Sequence, residues 1–309
     1  MSVPLISMFP AELSSLIRET RDGKIEKRSL GKTGEKLSAI GFGGIVVRNA
    51  TAEQAANRVN EAIDYGVNYF DVAPTYGNAE QMLGPALKPY RKDAFLACKT
   101  GQRKKEGARK ELEQSLETLQ TDHFDLYQLH AVTTLEDVDT IFSKGGAMET
   151  FLEARKEGKV RYLGFSAHSV EAAMELMERF EFDTILFPFN FATWYAGNFG
   201  PQVMEKAREK QMGILALKAM AWRPWKEGEE RTNDKTWYKP LPNEEEADKG
   251  LRFTLSHPVT AAIPPGHEDL FSMGLRLAVN FRPLDQKEIR EIKEKGSRTE
   301  PIFRYPMET

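Results

Sequence analysis

Four side chains capable of proton chemistry stand at the ends of short apolar runs. In NYFDVAPTYGNAEQMLG, residues 68–84, the run Val67-Asn68-Tyr69-Phe70 leads into Asp71, and Tyr76 follows on a turn marked by Pro74 and Gly77. A phenol alone is a weak acid, with an ordinary pKa of roughly 10. A cation that stabilises its anion would make it useful, and the run AFLACKTG carries Lys99 while FDLYQLH ends in His130. An acid, a phenol, an ammonium and an imidazole brought together suit proton chemistry. No His, Cys and carboxylate cluster has ligand spacing, so no metal is expected. Strand alternation turns the single cysteine, Cys98, away from the face of Lys99, which makes it a core residue.

These groups need strands to carry them. From Ala39 onward, apolar runs near 39–43, 67–71, 94–99, 124–129, 160–165, 183–189, 213–218 and 259–263 alternate with helical patterns. In TAEQAANRVNEAIDYG, Ala55, Val59, Ala62 and Ile63 keep helical spacing. Thr51 with Gln54 makes a capping box for that helix, and Gly66 a stop. Eight strands alternating with helices imply a parallel sheet closed into a (β/α)8 TIM barrel. A doubly wound sheet would want a glycine-rich dinucleotide turn after its first strand, and Gly41-Phe42-Gly43-Gly44-Ile45 does not match one. Active sites of such barrels lie at the C-terminal ends of the strands, where Asp71, Tyr76, Lys99 and His130 would be neighbours.

Before the barrel, residues 1–24 read as an N-terminal extension with a turn at Pro10 and a short helix through Ile17, and residues 25–309 as one domain. The runs 24–30 and 36–40 flank Gly31-Lys32-Thr33-Gly34 and read as a β-hairpin. Two connections are long: 131–146, with a helical TLEDVDTIFS, and 220–243, which holds Trp222, Trp225, Trp237 and Tyr238. The second reads either as a lid over the strand ends or as aromatic packing on the rim.

With 43 basic and 46 acidic residues the net charge is −3, which points to no nucleic-acid partner. No apolar run nears the roughly 20 residues of a membrane span. One cysteine fits a reducing compartment, and the start of the chain lacks a basic leader; the reading is a cytoplasmic protein. Oligomeric state is not legible.

Asp71, Tyr76, Lys99 and His130, each at its strand end, resemble the catalytic tetrad of the aldo-keto reductases. LGKTGEKLSAIGFGG, GVNYFDVAPTYG, GKVRYLGFSAH and RFTLSHPVTAAIPPG are similar to that family too, so the resemblance runs from about Lys27 to about Glu294. It implies a hairpin plug at the bottom of the barrel and an NAD(P)H-dependent reductase with Tyr76 as general acid. Lys99 would lower the phenol's pKa, Asp71 would keep Lys99 charged, and His130 would orient the carbonyl.

The resemblance also implies NADP(H), since no side chain supplies a hydride, lying extended across the barrel mouth. The matching contacts are Gly44 and Ile45, Ser166 and Ala167, Asn190, Leu217 and Lys218, and Pro265, Gly266 and Asp269. Three positions depart from the family pattern: Ala167 stands for an asparagine, an apolar residue in ILFPFN for a glutamine, and Leu217 for an aromatic. Glu268 and Asp269 lie where basic residues usually hold a 2′-phosphate, so weaker discrimination against NAD(H) is expected. For the substrate, Arg48, Trp194 and Trp222 are the expected contacts, suiting a small-molecule carbonyl such as a polyhydroxylated or sugar-derived one. Alternatives on the same site are an epimerase or lyase with tightly held NADP(H), and a non-enzymatic subunit or redox sensor.

Overall fold

The computed structural model describes residues 23–232 and 234–306. The turn at Pro10 and the helix through Ile17 lie outside the described residues. Twelve strands follow: β1 (Lys27–Ser29), β2 (Lys36–Ser38), β3 (Phe42–Gly43), β4 (Tyr69–Asp71), β5 (Phe95–Thr100), β6 (Phe124–Val132), β7 (Val160–Ala167), β8 (Thr184–Pro188), β9 (Gly213–Leu217), β10 (Ala221–Pro224), β11 (Tyr238–Pro240) and β12 (Ala261–Ile263). Eight of them form one parallel sheet in the order β3-β4-β5-β6-β7-β8-β9-β12. The seam between its edges is closed by a parallel bridge from Ile40 to Ala262, with Gly41 N donating to Ala262 O at 3.0 Å and Ala262 N to Ala39 O at 2.9 Å. The sheet is therefore the expected barrel. The first apolar run counts as a strand over its whole length only through that seam.

Alternation along each strand divides the chain between two cores. Tyr69, Phe95, Ala97, Leu126, Leu186, Leu215 and Ala261 point inward and pack together inside the barrel. Phe70, Leu96, Cys98, Tyr127 and Leu129 point outward, into the larger core shared with the helices. Cys98 is thus buried between sheet and helices, as alternation required.

The helices fill the intervals. Helix Ala52–Asp64 starts at the capping box of Thr51 and Gln54, and Gly66 follows its end at φ 83°. Helix Leu135–Phe142 occupies the first long connection, capped by Thr134. The second long connection is not a loop throughout, because β10 and β11 pair antiparallel across it. No described helix is long and apolar enough to cross a membrane.

The hairpin β1–β2 closes the bottom. Lys27 pairs with Ser38 and Ser29 with Lys36, which leaves Leu30 and Leu37 fully buried in the inner core. Gly31 sits at φ 51°, and a Cβ there would lie 2.4 Å from Gly213 N, so only glycine lets the turn approach the start of β9. Deleting the Leu37 side chain opens a cavity that a closed barrel cannot collapse. Leu37→Ala should lower the unfolding free energy by about 2–5 kcal/mol, read by urea denaturation. A loss below about 1 kcal/mol would mean that the plug contributes little to the core.

Candidate active site

Continuing inward beyond the apolar residues, the same rows become polar. On β4 the row Tyr69 runs on to Asp71; on β5, Phe95 and Ala97 run on to Lys99; on β6, Leu126 runs on to Gln128 and His130. Registers Asp71↔Ala97 and Lys99↔Gln128 set these groups side by side at the upper end of the barrel.

Lys99 is fully buried, and its ammonium donates to Asp71 Oδ1 in a short hydrogen bond and to Val72 O at 3.2 Å. The other carboxylate oxygen, Oδ2, accepts from Tyr69 Oη at 3.0 Å and from Gln128 Nε2 at 3.0 Å. Burial on its own would favour a neutral Lys99, but Asp71 outweighs it and raises the pKa above the ordinary lysine value. The ammonium lies 5.3 Å from the Tyr76 ring centroid. Tyr76 in turn meets His130 edge-on, with centroids 5.6 Å apart. The four expected side chains therefore form one contiguous group.

Burial acts most strongly on the phenol and raises its pKa above 10; Lys99 pulls it down, in the expected direction, without overcoming burial. Tyr76 thus keeps its proton at neutral pH. His130 is pushed down to about 3, first by burial and then by the charge of Lys99, so its imidazole is neutral. Its Nδ1 lies 3.3 Å from the Thr75 hydroxyl.

Around this group, the C-terminal strand ends bring further polar atoms. Ser166 Oγ accepts from Ala131 N at 2.8 Å and keeps its own proton to donate. Asn190 caps the short helix Phe191–Tyr195 through Oδ1, 3.0 Å from Thr193 N, while its Nδ2 is buried without a partner. A buried carboxamide donor without a partner and a serine hydroxyl with a proton to give are groups that fit the amide of a nicotinamide. Ala167 is buried in the outer core, and Leu217 half-buried against the inner one.

A second cluster lies where the first and last strands meet. A Cβ on Gly266 would fall 2.4 Å from Ile45 Cγ2, so the Gly44–Val47 turn and the Pro265-Gly266 turn touch. Helix Glu268–Val279 starts there with Glu268. The Glu268 carboxylate is met by Arg58 Nη2 at 3.1 Å and by Lys235 Nζ at 3.1 Å. This corrects the expected acidic repulsion of a 2′-phosphate: Glu268 is neutralised by two cations. Asp269 points to solvent, 4.0 Å from His267 Nδ1.

Of the expected substrate contacts, Arg48 reaches Asp234 O at 2.9 Å and passes beside Gly77, next to Tyr76. Trp222 is half-buried under Arg223 and Lys239, at 4.7 Å and 5.5 Å from its ring. Trp194 lies among Phe253 and His257, 4.6 Å from the imidazole, and packs the helical layer instead of lining the mouth. The hairpin β10–β11 is pinned by Arg223 and Lys239 on Glu229, and its tip by Lys235 on Val46 O at 3.1 Å. It therefore reaches from β9 across to the first turn of the barrel. Gln128, Tyr69, Arg58 and Lys235 escaped the sequence reading. Alternation from Leu126 and from Asp71 could have found the first two, whereas no spacing flags the last two.

Residues 39–253 match the model of the aldo/keto reductase family. A curated relative, an uncharacterized oxidoreductase of Bacillus subtilis (strain 168), is 27% identical over 300 residues, covering 87% of this chain and 96% of the relative. L-galactose dehydrogenase of Arabidopsis thaliana is 34% identical over 171 residues, covering 50% of this chain and 53% of that enzyme. Among solved structures, the holo form of an aldo-keto reductase from Bacillus halodurans superposes with a TM-score of 0.72 at 26% identity, covering 92% of this chain and 99% of that one. An aldo/keto reductase from Klebsiella pneumoniae in complex with NADP and acetate shares the fold at a TM-score of 0.69 and 19% identity, covering 92% and 99% of the two chains. The barrel, the inward polar rows and these likenesses agree: the chain belongs to the aldo/keto reductase family, as an oxidoreductase of the NAD(P)H-dependent type.

Proposed function

We propose that this chain interconverts a small carbonyl compound and its alcohol with NADP(H), using Asp71, Tyr76, Lys99 and His130. The observation that carries the reading is the buried Lys99 ammonium, paired with Asp71 on one side and set against the Tyr76 ring on the other. When bound, the nicotinamide supplies a hydride to the carbonyl carbon. The fit of this chain to that cofactor rests on the unspent Asn190 donor and the Ser166 hydroxyl for its carboxamide. Gly44, Ile45 and Gly266 line the turn cluster for its phosphates, with Arg58 and Lys235 as the cations there.

The chain's own work is to place a proton and stabilise charge. Tyr76 holds its proton through neutral pH, and gives it up when negative charge develops on the carbonyl oxygen beside it. The tyrosinate left behind is stabilised by Lys99, whose charge Asp71 maintains. With the Thr75 hydroxyl donating to Nδ1, the neutral His130 would hold its proton on Nε2 and offer it as a hydrogen bond to the carbonyl oxygen, keeping the proton throughout. Microscopic reversibility makes Tyr76 the base for alcohol oxidation.

Tyr76→Phe should cut turnover by about 10²–10⁴-fold while NADPH affinity, by fluorescence titration, stays near wild type. Wild-type turnover in that variant would remove Tyr76 from the mechanism. Since the His130 pKa is about 3, its imidazole should stay neutral from pH 5 to 8. Ring-nitrogen shifts in NMR should be flat across that window, and a titration near pH 6.5 would contradict the assignment. Arg58→Ala should weaken NADPH by about tenfold, roughly 1.4 kcal/mol, and NADH far less. Equal loss for the two cofactors would place the 2′-phosphate elsewhere.

A further inference from the structure

Lys218, which the resemblance sets among the cofactor contacts, has no part in the proton chemistry above. Lys218 directly follows β9 and holds a left-handed backbone, φ 65°, which a non-glycine residue adopts at a cost of roughly 1–2 kcal/mol. Such strain persists where the surroundings demand a particular side-chain direction. Here that direction sets the ammonium on two rings, 5.6 Å from the Trp237 centroid and 5.8 Å from that of Tyr238. Among the described residues no carboxylate pairs with it within salt-bridge distance. Burial alone acts on its proton, and lowers its pKa to about 8.

The rings extend the floor. Phe303 lies 5.6 Å from Trp237 and stacks on His168 at 5.3 Å, and His168 Nε2 is buried without a partner. A cation and an unspent imidazole nitrogen thus share one aromatic wall. The charge of Lys218 also contributes to lowering both His130, on β6, and His168, which directly follows β7. Lys218 in turn follows β9, so it and His168 both stand at the end of the barrel where the strands terminate. The cluster at Glu268 already provides cations elsewhere, for the phosphates.

We propose that Lys218, on its floor of Trp237 and Tyr238, selects a substrate whose carbonyl chain also bears a carboxylate. This rests on reading the tetrad as a carbonyl reductase. A single ammonium with a neutral imidazole matches a monoanion. A dianionic phosphate would call for a second cation, whereas the cation set on the faces of Trp237 and Tyr238 is the single ammonium of Lys218. The aromatic floor holds the methylene stem between carboxylate and carbonyl. His130 and Tyr76 then meet the carbonyl oxygen.

The test compares butanal with 4-oxobutanoate, which differ by the carboxylate, as substrates for NADPH oxidation by the full chain. The expected wild-type preference in kcat/KM for 4-oxobutanoate should collapse by tenfold or more in Lys218→Met, chiefly through KM. Lys218→Arg should retain most of it. Butyrate, which cannot be reduced, should quench the tryptophan fluorescence of the protein–NADP complex, and bind at least tenfold more weakly to Lys218→Met. No preference in the wild type, a greater preference for glyceraldehyde 3-phosphate, or a loss of NADP affinity equal to the loss for butyrate would each overturn the proposal. Failure of the reductase reading is separate: NADPH would be oxidised with neither carbonyl, and the butyrate titration would still decide the role of Lys218.

Discussion

The buried pair of Lys99 and Asp71 is the constraint around which the upper half of this barrel is arranged. Taking two charges out of water costs several kcal/mol per ion, which their attraction offsets only if the remaining donors and acceptors are also met. Here they are: Asp71 accepts from Tyr69 and Gln128 as well, and Lys99 also donates to Val72 O. Removing either partner would leave a lone charge in a dry barrel, at a cost of about 3–5 kcal/mol. The pair is therefore rigid in a way that a surface ion pair is not. That rigidity fixes the ammonium against Tyr76, where a flexible lysine would lose part of its effect on the phenol.

The balance of forces on Tyr76 follows from the same burial. Desolvation raises the phenol's pKa, and Lys99 counters this without reversing it. A tyrosine ionised at rest would have no proton to give, and one without the lysine would release it too reluctantly. In the proposed mechanism the surroundings of Tyr76 set it between these limits, and the same desolvation, which keeps His130 neutral, leaves its imidazole free to offer a hydrogen bond.

Most of the fold was legible because a parallel barrel writes its strands as separate apolar runs, each on its own side of a helix. All eight expected runs became strands, and the alternation that sent Cys98 outward also sent Asp71, Lys99 and His130 inward. What stayed hidden depended on contacts far along the chain. Arg58 and Glu268 meet across 210 positions, and no local pattern announces such a pair. Reading Glu268 as a bare negative charge failed for that reason. The β10–β11 pairing was masked by aromatics that suit a rim loop equally well, and Trp194 by a composition that cannot say which layer an aromatic joins. Gln128 was missed because a lone polar residue in an apolar run carries no signal until its register beside Lys99 is known.

Three lysines around the mouth show how pairing, rather than residue type, assigns roles. Lys99 has a dedicated carboxylate and no exposure, so its charge is permanent and directed at one neighbour. Lys235 shares Glu268 with Arg58 and bonds Val46 O, which fastens the hairpin tip to the turn beside Ile45. Among the described residues the ammonium of Lys218 rests on ring faces, which attract its charge without neutralising it. Two cations on one carboxylate, as at Glu268, keep a net positive charge for an incoming anion, and a cation resting on aromatic faces keeps nearly its full field. Because Trp237 lies on the arm leading into β11, the hairpin that Lys235 fastens at its tip also carries the floor under Lys218. The anchoring of the rim and the charge over the opening are in this way parts of one arrangement, set by where carboxylates are present and where they are withheld.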